Sequence, residues 1–162
     1  MASATPNQPP ALGSVAPEFT LQGTSGAQKV GGIMPCLTVL FFFPRANTAT
    51  CRTEAQDFSA LLPGFTAAGA QVLGLSDDPL SALETFRAKA ALDMPLLSDP
   101  GAIACSAYGV WAEKSMYGKT FMGILRTTFL IDRQGRIADM WRVARVAGHA
   151  QGVLDRAKGL GA

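Results

Sequence analysis

Cysteine and histidine are both scarce in this chain, which restricts the kinds of site that it can build. Its 162 residues include three cysteines and a single histidine, His149. No group of residues has the spacing of a metal-binding motif, so we expect no metal and no other cofactor. Cys36, Cys51 and Cys105 lie in a chain without an export signal, which indicates a reducing, cytosolic setting. Thiols there serve chemistry more often than cross-linking.

Long apolar runs and a large net charge are also absent. The longest apolar run, Ile33 to Phe43, is well short of the roughly 20 residues that span a bilayer. The formal net charge of +2 is too small to imply nucleic-acid binding. The N-terminal segment MASATPNQPPAL lacks the charged and apolar regions of a secretory signal. We therefore expect a cytoplasmic protein with neither a membrane nor a nucleic acid as its partner.

The alternation of apolar runs with helical patterns predicts one α/β domain over residues 12–162, after a flexible arm over residues 1–11. A chain of about 150 residues buries enough surface for a core without disulfides. Buried strands precede helices at 37–43 and 71–76, which favours parallel pairing. The expected architecture is a mixed central β-sheet, parallel at its centre, with helices on both faces. Further predictions are an N-terminal β-hairpin (Phe19–Leu21 and Gln28–Val30), a cap at Asp77-Asp78-Pro79, a mixed connector (Val110–Met122), one strand (Ile124–Ile131), and a terminal helix from about His149.

Cys51 is placed where a loop becomes a helix, directly after the strongest apolar strand. Unpaired N–H groups of a first helical turn favour an anion, and so favour a thiolate. Pro44 restricts the loop, and Thr48 lies three residues before Cys51, which brings its hydroxyl within reach of the sulfur. Taken alone, Cys51 is also compatible with an inert buried thiol. The framing by Pro44 and Thr48 favours a reactive cysteine.

These residues resemble the peroxiredoxin family. Pro44, Thr48 and Cys51 match its Pro-x-x-x-Thr-x-x-Cys motif, and Glu54 follows as in the PrxQ, or bacterioferritin comigratory protein, subfamily. The similarity continues at Leu97–Pro100, Tyr117–Lys119, Arg126–Asp132 and Val146–His149. The resemblance implies a thioredoxin-like fold and a thiol-dependent peroxidase that reduces hydrogen peroxide and organic hydroperoxides. It further implies that Cys51 forms a sulfenic acid, which thioredoxin, glutaredoxin with glutathione, or another small thiol reduces.

Arg126 is a cation inside an otherwise apolar and β-branched run. An unpaired buried charge is unfavourable, so either an anion meets it or its side chain reaches solvent. The resemblance favours the first, because its position matches the arginine that contacts the peroxidatic sulfur. Displacement at oxygen creates negative charge on the departing group. Arg126, the Thr48 hydroxyl and the Cys51 N–H are the candidate donors, while Thr48 acting only as an N-cap is the alternative.

The sequence departs from the subfamily in the residues that would recycle Cys51. Many PrxQ proteins carry a resolving cysteine five residues after the peroxidatic one, where this chain has Gln56. The helix expected over 78–92 also has no cysteine, and Ala49-Thr50 replaces the usual Pro-Gly. Cys36 is expected in the core at the far end of the sheet, and Cys105 is a candidate resolving residue only if the Cys51 helix unwinds. A 1-Cys cycle with an external thiol is therefore the main prediction.

Some alternatives remain open from the residues. A non-catalytic redox sensor or interaction module would use Cys51 without turnover, whereas a dithiol oxidoreductase is disfavoured by the missing Cys-x-x-Cys. His149 is interpreted as a cap or surface residue without a catalytic role. Trp111, Met116, Tyr117 and Phe121 are interpreted as packing rather than as a rim of the site. We expect a monomer or a weak homodimer.

Overall fold

A computed structural model describes residues 8–160, and the predicted arm over residues 1–11 therefore lies mostly outside the described residues. Residues 8–11 form neither helix nor strand. Residues 8–160 form nine strands: β1 (Phe19–Gly23), β2 (Gln28–Val30), β3 (Leu37–Phe42), β4 (Ala70–Ser76), β5 (Leu96–Ser98), β6 (Trp111–Met116), β7 (Lys119–Ile124), β8 (Thr127–Ile131) and β9 (Ile137–Arg142). The same residues form five helices: α1 (Ala49–Ala60), α2 (Leu62–Ala67), α3 (Leu80–Ala90), α4 (Ile103–Ala107) and α5 (His149–Leu160).

Seven strands form one mixed sheet in the order β2-β1-β5-β4-β3-β8-β9. The central strands β5, β4 and β3 are parallel, and the outer pairs are antiparallel. The β1–β2 hairpin, the parallel centre and the terminal helix agree with the sequence predictions. Pro63 lies in the first turn of α2, so the apolar pattern after Cys51 is divided into two helices. No described helix has the length and apolar character needed to cross a membrane.

The central strand β3 separates two apolar cores, because alternate side chains of a strand point to opposite faces. Phe41 and Phe43 pack with α1, α2, α3 and α5 on one face. Leu40 and Phe42 pack with α4 and the N-terminal hairpin on the other. Every residue of β3 is buried. The solid apolar run of the sequence is thus explained by a strand that is covered on both sides.

The segment from 110 to 131 differs from its prediction. Instead of a connector and one long strand, the structure has a separate hairpin, β6–β7, followed by β8. The break falls at Leu125 and Arg126, where the Leu125 N–H donates to the Val110 carbonyl and the Arg126 carbonyl accepts from Val143. Tyr117 and Gly118 both have positive φ at the hairpin turn, which is typical of a two-residue connection. Arg126 therefore lies in a junction between two sheets, which spares a charged side chain from the interior of a strand.

Candidate active site

The Cys51 sulfur lies in the first turn of α1, at the carboxyl end of β3. The side chain is 1% exposed and packs in the core formed with Phe41 and Phe58. The first hydrogen bond at this helix start runs from the Arg52 N–H to the Thr48 carbonyl at 2.8 Å. The Cys51 N–H precedes that bond and has no hydrogen-bond partner among residues 8–160. Both the sulfur and a free backbone donor are therefore directed to the same end of the helix.

Arg126 lies between two acidic partners. Its Nη2 donates to Cys51 Sγ at 3.3 Å, and its Nη1 donates to Glu54 Oε1 at 2.7 Å. Cys51 and Glu54 are three residues apart on α1, so they share one face of the helix. The planar guanidinium can contact both at once, which an ammonium group cannot match. The expected contact between Arg126 and the sulfur is present, although Arg126 reaches it from a junction rather than from a strand.

Glu54 is buried in an unusual way for a carboxylate. It is 1% exposed, and its Oε2 has no hydrogen-bond partner among the described residues. Burial raises the pKa of Glu54 from 4.5 to about 7, and the Arg126 charge opposes that shift without cancelling it. The increase in pKa caused by burial exceeds the decrease caused by Arg126, because Oε2 of the carboxylate has no hydrogen-bond donor. The carboxyl group therefore exchanges its proton in the neutral range beside the candidate catalytic sulfur.

Thr48 occupies the N-cap of α1, but its hydroxyl neither caps the helix nor bonds the Cys51 sulfur; its role as a donor to the departing oxygen stays a prediction. The backbone at Thr48 is extended, as an N-cap requires, and no side-chain capping bond forms. The hydroxyl donates to the Arg45 carbonyl at 3.1 Å and makes no hydrogen bond to Cys51 within the described chain. Its contact closes the turn that carries Pro44. In this conformation Thr48 shapes the loop rather than capping the helix or contacting the sulfur.

Asp78 holds the same loop from the neighbouring strand. Its Oδ2 accepts the Ala46 N–H at 2.7 Å and the Ser76 hydroxyl at 2.8 Å. The sequence predicted a helix cap there, yet α3 begins after Pro79 without a side-chain cap. The carboxylate is used for the loop because the ends of β3 and β4 are adjacent in the parallel sheet. Asp78 thus positions the loop of the site, and the prediction of a helix cap from its local sequence was wrong.

His149 is neither a cap nor a surface residue, which corrects the sequence interpretation. Its ring lies edge-on to Phe58 and Trp141, with centroid distances of 5.8 and 6.0 Å. Its Nε2 lies 2.8 Å from the Thr128 hydroxyl. Burial, followed by the Arg126 charge, lowers the pKa of His149 to about 4. The imidazole is therefore neutral at pH 7 and packs behind the site.

The other two cysteines lie away from Cys51. Cys105 is fully buried on α4 and packs in the core with Phe42, across the sheet from Cys51. Burial, with a hydrogen bond to the Asp99 carboxylate, raises the pKa of the Cys105 thiol far above its usual range. Cys36 precedes β3, at the opposite end from Cys51, as expected. It is partly exposed rather than part of the core.

Two adjoining cavities open beside the site. A cavity of about 430 Å³ is lined by Arg126, Pro44 and Lys114, among others. A groove of about 750 Å³ shares Pro44 and Lys114 with it and continues along the hairpin past Met116 and Phe121. Three residues interpreted as packing are in fact exposed: Met116 (57%), Tyr117 (97%) and Phe121 (45%). Of these, Met116 and Phe121 line the groove that adjoins the cavity of Arg126, which the packing interpretation missed.

A model of the AhpC/TSA family matches residues 12–140. The chain belongs to this family and is a peroxiredoxin. It is 46% identical over 116 residues to Peroxiredoxin Bcp of Xanthomonas campestris, an overlap of 72% of each chain. Among solved structures it resembles a PrxQ mutant of Xylella fastidiosa, with a TM-score of 0.83 and 34% identity over 94% of this chain and 98% of that one. It also resembles the bacterioferritin comigratory protein of Xanthomonas campestris, described for its alkyl peroxide reduction activity, with a TM-score of 0.79 and 37% identity over 89% and 92% of the two chains.

These relatives confirm the thioredoxin-like fold and the PrxQ subfamily. They also show that the chain is a thiol-dependent peroxidase, with a peroxide as substrate and a thiol as reductant. The alternatives of a non-catalytic redox sensor and a dithiol oxidoreductase are not favoured by this membership. The roles of individual residues follow from geometry and chemistry.

Proposed function

We propose that Cys51 is the peroxidatic residue of this peroxiredoxin, assisted by Arg126, Thr48 and Pro44. The observation that carries the proposal is the 3.3 Å contact of Arg126 Nη2 with Cys51 Sγ at the start of α1. A guanidinium and a helix N-terminus both favour a thiolate over a thiol. Pro44 and Thr48 shape the loop beside this pair, and Pro44 and Arg126 both line the smaller cavity. Cys51 is the one cysteine with such surroundings among the described residues.

The chemistry is a displacement at the terminal peroxide oxygen. The Cys51 thiolate forms a bond to that oxygen, the O–O bond breaks, and the sulfur is oxidised by two electrons to a sulfenic acid. The second oxygen leaves as hydroxide or alkoxide and takes a proton from water. Arg126 and the Cys51 N–H are the donors closest to the atoms on which charge moves. No metal or other cofactor is required for this step.

The substrates we propose are hydrogen peroxide and organic hydroperoxides. The smaller cavity admits the peroxide group to Arg126, and the adjoining groove offers an apolar wall to an organic substituent. Met116, Phe121 and Met122, each about half exposed, contribute apolar surface to that wall. The alkyl peroxide reduction activity named for the relative from Xanthomonas campestris supports the same substrate class.

We propose a 1-Cys cycle in which an external thiol reduces the sulfenic acid. Cys105 lies in the opposite core, and the Gln56 side chain donates to the Ala90 carbonyl at 3.2 Å. A second side chain of α1, the Ser59 hydroxyl, accepts a hydrogen bond from the Asp93 N–H at 3.0 Å. These two hydrogen bonds hold α1 against the segment that ends α3. A disulfide needs Cα atoms within about 7 Å, which Cys51 and Cys105 reach only after α1 unwinds. Thioredoxin, glutaredoxin with glutathione, or another small thiol would therefore be the direct reductant.

Peroxide consumption by cysteine variants tests this assignment. Cys51→Ser should abolish turnover with hydrogen peroxide and an alkyl hydroperoxide, in the presence of dithiothreitol or of thioredoxin with its reductase. Cys105→Ser is the matched control and should retain most of the activity, because its thiol is buried on the other face. Near wild-type turnover in Cys51→Ser, together with its loss in Cys105→Ser, would overturn the proposal.

A further inference from the structure

The β6–β7 hairpin places a second cation, Lys114, in the cavity that Arg126 lines beside Cys51. Neither the motif nor the Arg126 contact accounts for it. We propose that Lys114 stabilises the negative charge on the oxygen that leaves when Cys51 attacks a peroxide. The inference rests on the peroxidatic role proposed for Cys51. It makes Lys114 a residue that favours the reaction of peroxides whose leaving groups are strong bases.

The position of Lys114 is fixed by the hairpin itself. Lys114 is partly buried on β6 and lies opposite Phe121 of β7. Its aliphatic stem lies over Gly123, where an added Cβ would be only 3.2 Å from Lys114 Cδ. A glycine at 123 leaves room for that stem, and Phe121 borders it. The side chain is thus held along the hairpin instead of extending freely into solvent.

The stem leads the ammonium group to the junction of the two cavities. Lys114 and Pro44 line both the cavity that contains Arg126 and the apolar groove. A hydroperoxide that reaches Cys51 with its organic part in the groove must pass this junction. Lys114 is therefore on the side of the peroxide from which the second oxygen departs, whereas Arg126 directly contacts the attacking sulfur.

Lys114 is also electrostatically available. The two ion pairs found among residues 8–160 are Arg126 with Glu54 and Arg156 with Asp139. Asp77 and Asp78 line the same groove as Lys114 but form no ion pair with it. Burial lowers the pKa of Lys114, the Arg126 charge lowers it further, and the Cys51 charge raises it. The Cys51 charge thus favours the protonated form of Lys114, against the effects of burial and of Arg126. Its ammonium group lies close enough to respond to charge on both Arg126 and Cys51.

The direction in which charge moves explains why this placement would accelerate the reaction. Before the attack, the negative charge is on Sγ; afterwards it is on the leaving oxygen, farther from Sγ and nearer to the entrance. A cation at the entrance gains attraction as this happens, so it stabilises the transition state more than the bound substrate. An ionised Glu54 and a Cys51 thiolate carry two negative charges, whereas Arg126 supplies one positive charge. A second cation at this site would balance the remaining negative charge.

The dependence on the leaving group gives a sharp test. Single-turnover oxidation of Cys51 should be measured by stopped flow with tert-butyl hydroperoxide, hydrogen peroxide and peroxyacetic acid, which release an alkoxide, a hydroxide and the much weaker base acetate. Lys114→Met should lower the rate constant with the first two by about tenfold, and with peroxyacetic acid by under about twofold. The loss is smaller than that for a fully buried oxyanion donor because Lys114 is only partly buried.

Matched variants separate this effect from damage to the hairpin. Lys119→Met changes a lysine that is on the same hairpin but lines neither cavity, and it should leave all three rates unchanged. Lys114→Arg should restore most of the rate, and Lys114→Gln should reproduce the selectivity of Lys114→Met. An equal loss with all three peroxides, or no loss, would overturn the role of Lys114. Reaction of Cys51→Ser with these peroxides would instead overturn the role of Cys51.

Discussion

Arg126 Nη1 lies 2.7 Å from Glu54 Oε1, while the other oxygen of that carboxylate is buried without a hydrogen-bond partner among the described residues. Arg126 is therefore shared between a carboxylate that is only partly satisfied and the sulfur of Cys51. A half-satisfied buried group destabilises the folded protein, so its presence here indicates that it serves the function of the site. The arrangement links the proton on Glu54 to the orientation of the guanidinium that contacts Cys51.

The first prediction concerns stability and pH, because Glu54 and His149 act in opposite directions. The pKa of Glu54 is raised from 4.5 to about 7, so the folded protein binds the extra proton there and stability falls as pH rises through that window. The pKa of His149 is lowered from 6.5 to about 4, so the unfolded chain binds the extra proton and stability rises with pH. Between about pH 4.5 and 6.5 the two contributions offset each other.

Two variants should separate these contributions in denaturant unfolding at a series of pH values. Glu54→Gln removes the falling contribution, so its stability should rise with pH by up to about 1.4 kcal/mol per unit in that window. His149→Phe keeps a ring beside Phe58 and Trp141, and its stability should fall with pH by a similar amount. Profiles parallel to that of the wild type in both variants would contradict the assignment of these protons.

The second prediction concerns the charge and shape of Arg126. Arg126→Ala should lower the single-turnover rate of Cys51 with hydrogen peroxide by about a hundredfold or more, since it removes a charged donor from a buried site. Arg126→Lys should recover only part of this loss, because an ammonium group cannot bridge Cys51 and Glu54 as a fork does. Arg156→Ala breaks an exposed pair with Asp139 and should leave the rate unchanged.

The position of Cys51 could be predicted from the sequence because the elements that determine it are local. A strand, a loop containing Pro44 and a helix start are adjacent in sequence, so their pattern predicted where the sulfur would lie. The hairpin β6–β7 was missed although Tyr117-Gly118 offered a turn signal, because the mixed polar and apolar residues around it matched neither helical nor strand periodicity well. Its exposed Met116 and Phe121 were consequently read as packing.

Other residues were misassigned because their partners are distant along the chain. Asp78 followed the pattern of a helix cap, yet its carboxylate accepts a hydrogen bond from the N–H of Ala46, 32 residues away. His149 begins a helix, yet its ring packs between Phe58 and Trp141. Such contacts depend on which strand ends and helix faces the fold brings together, and sequence periodicity does not reveal that arrangement.

The third prediction concerns the apolar wall of the groove. Phe121→Ser should lower the rate with cumene hydroperoxide by about fivefold, since one aromatic contact contributes about 1 kcal/mol. The rate with hydrogen peroxide should not change, because that substrate has no organic part to fill the groove. Tyr117→Ser is the matched control: Tyr117 is 97% exposed at the hairpin turn and does not line the groove. Equal losses with both peroxides would argue against the groove as a substrate site.

The last prediction concerns recycling, and it follows from the position of Cys105 across the sheet and from the hydrogen bonds that hold α1. With no thiol nearby, the Cys51 sulfenic acid should persist until an external thiol or further peroxide attacks it. Mass spectrometry after one equivalent of peroxide should show sulfenic acid at Cys51, or its adduct with an added thiol. Repeated doses without thiol should give sulfinic acid and loss of activity.

In the Cys105→Ser variant, Cys51 should be oxidised to sulfenic and then to sulfinic acid at the same rates as in the wild type, because the Cys105 thiol takes no part in either step. Gln56→Cys provides the opposite test, since it removes the bond to Ala90 and places a thiol at the position where many PrxQ proteins have theirs. Positions 51 and 56 lie five residues apart on α1, farther apart than a disulfide allows in an intact helix. With the bond to Ala90 removed, that variant should form a disulfide with Cys51 through local opening of α1 and resist conversion to sulfinic acid. A rapid, stoichiometric disulfide between Cys51 and Cys105 in the wild type would refute the 1-Cys cycle, because Cys105 would then be the resolving residue. It would also require α1 to unfold locally in every turnover.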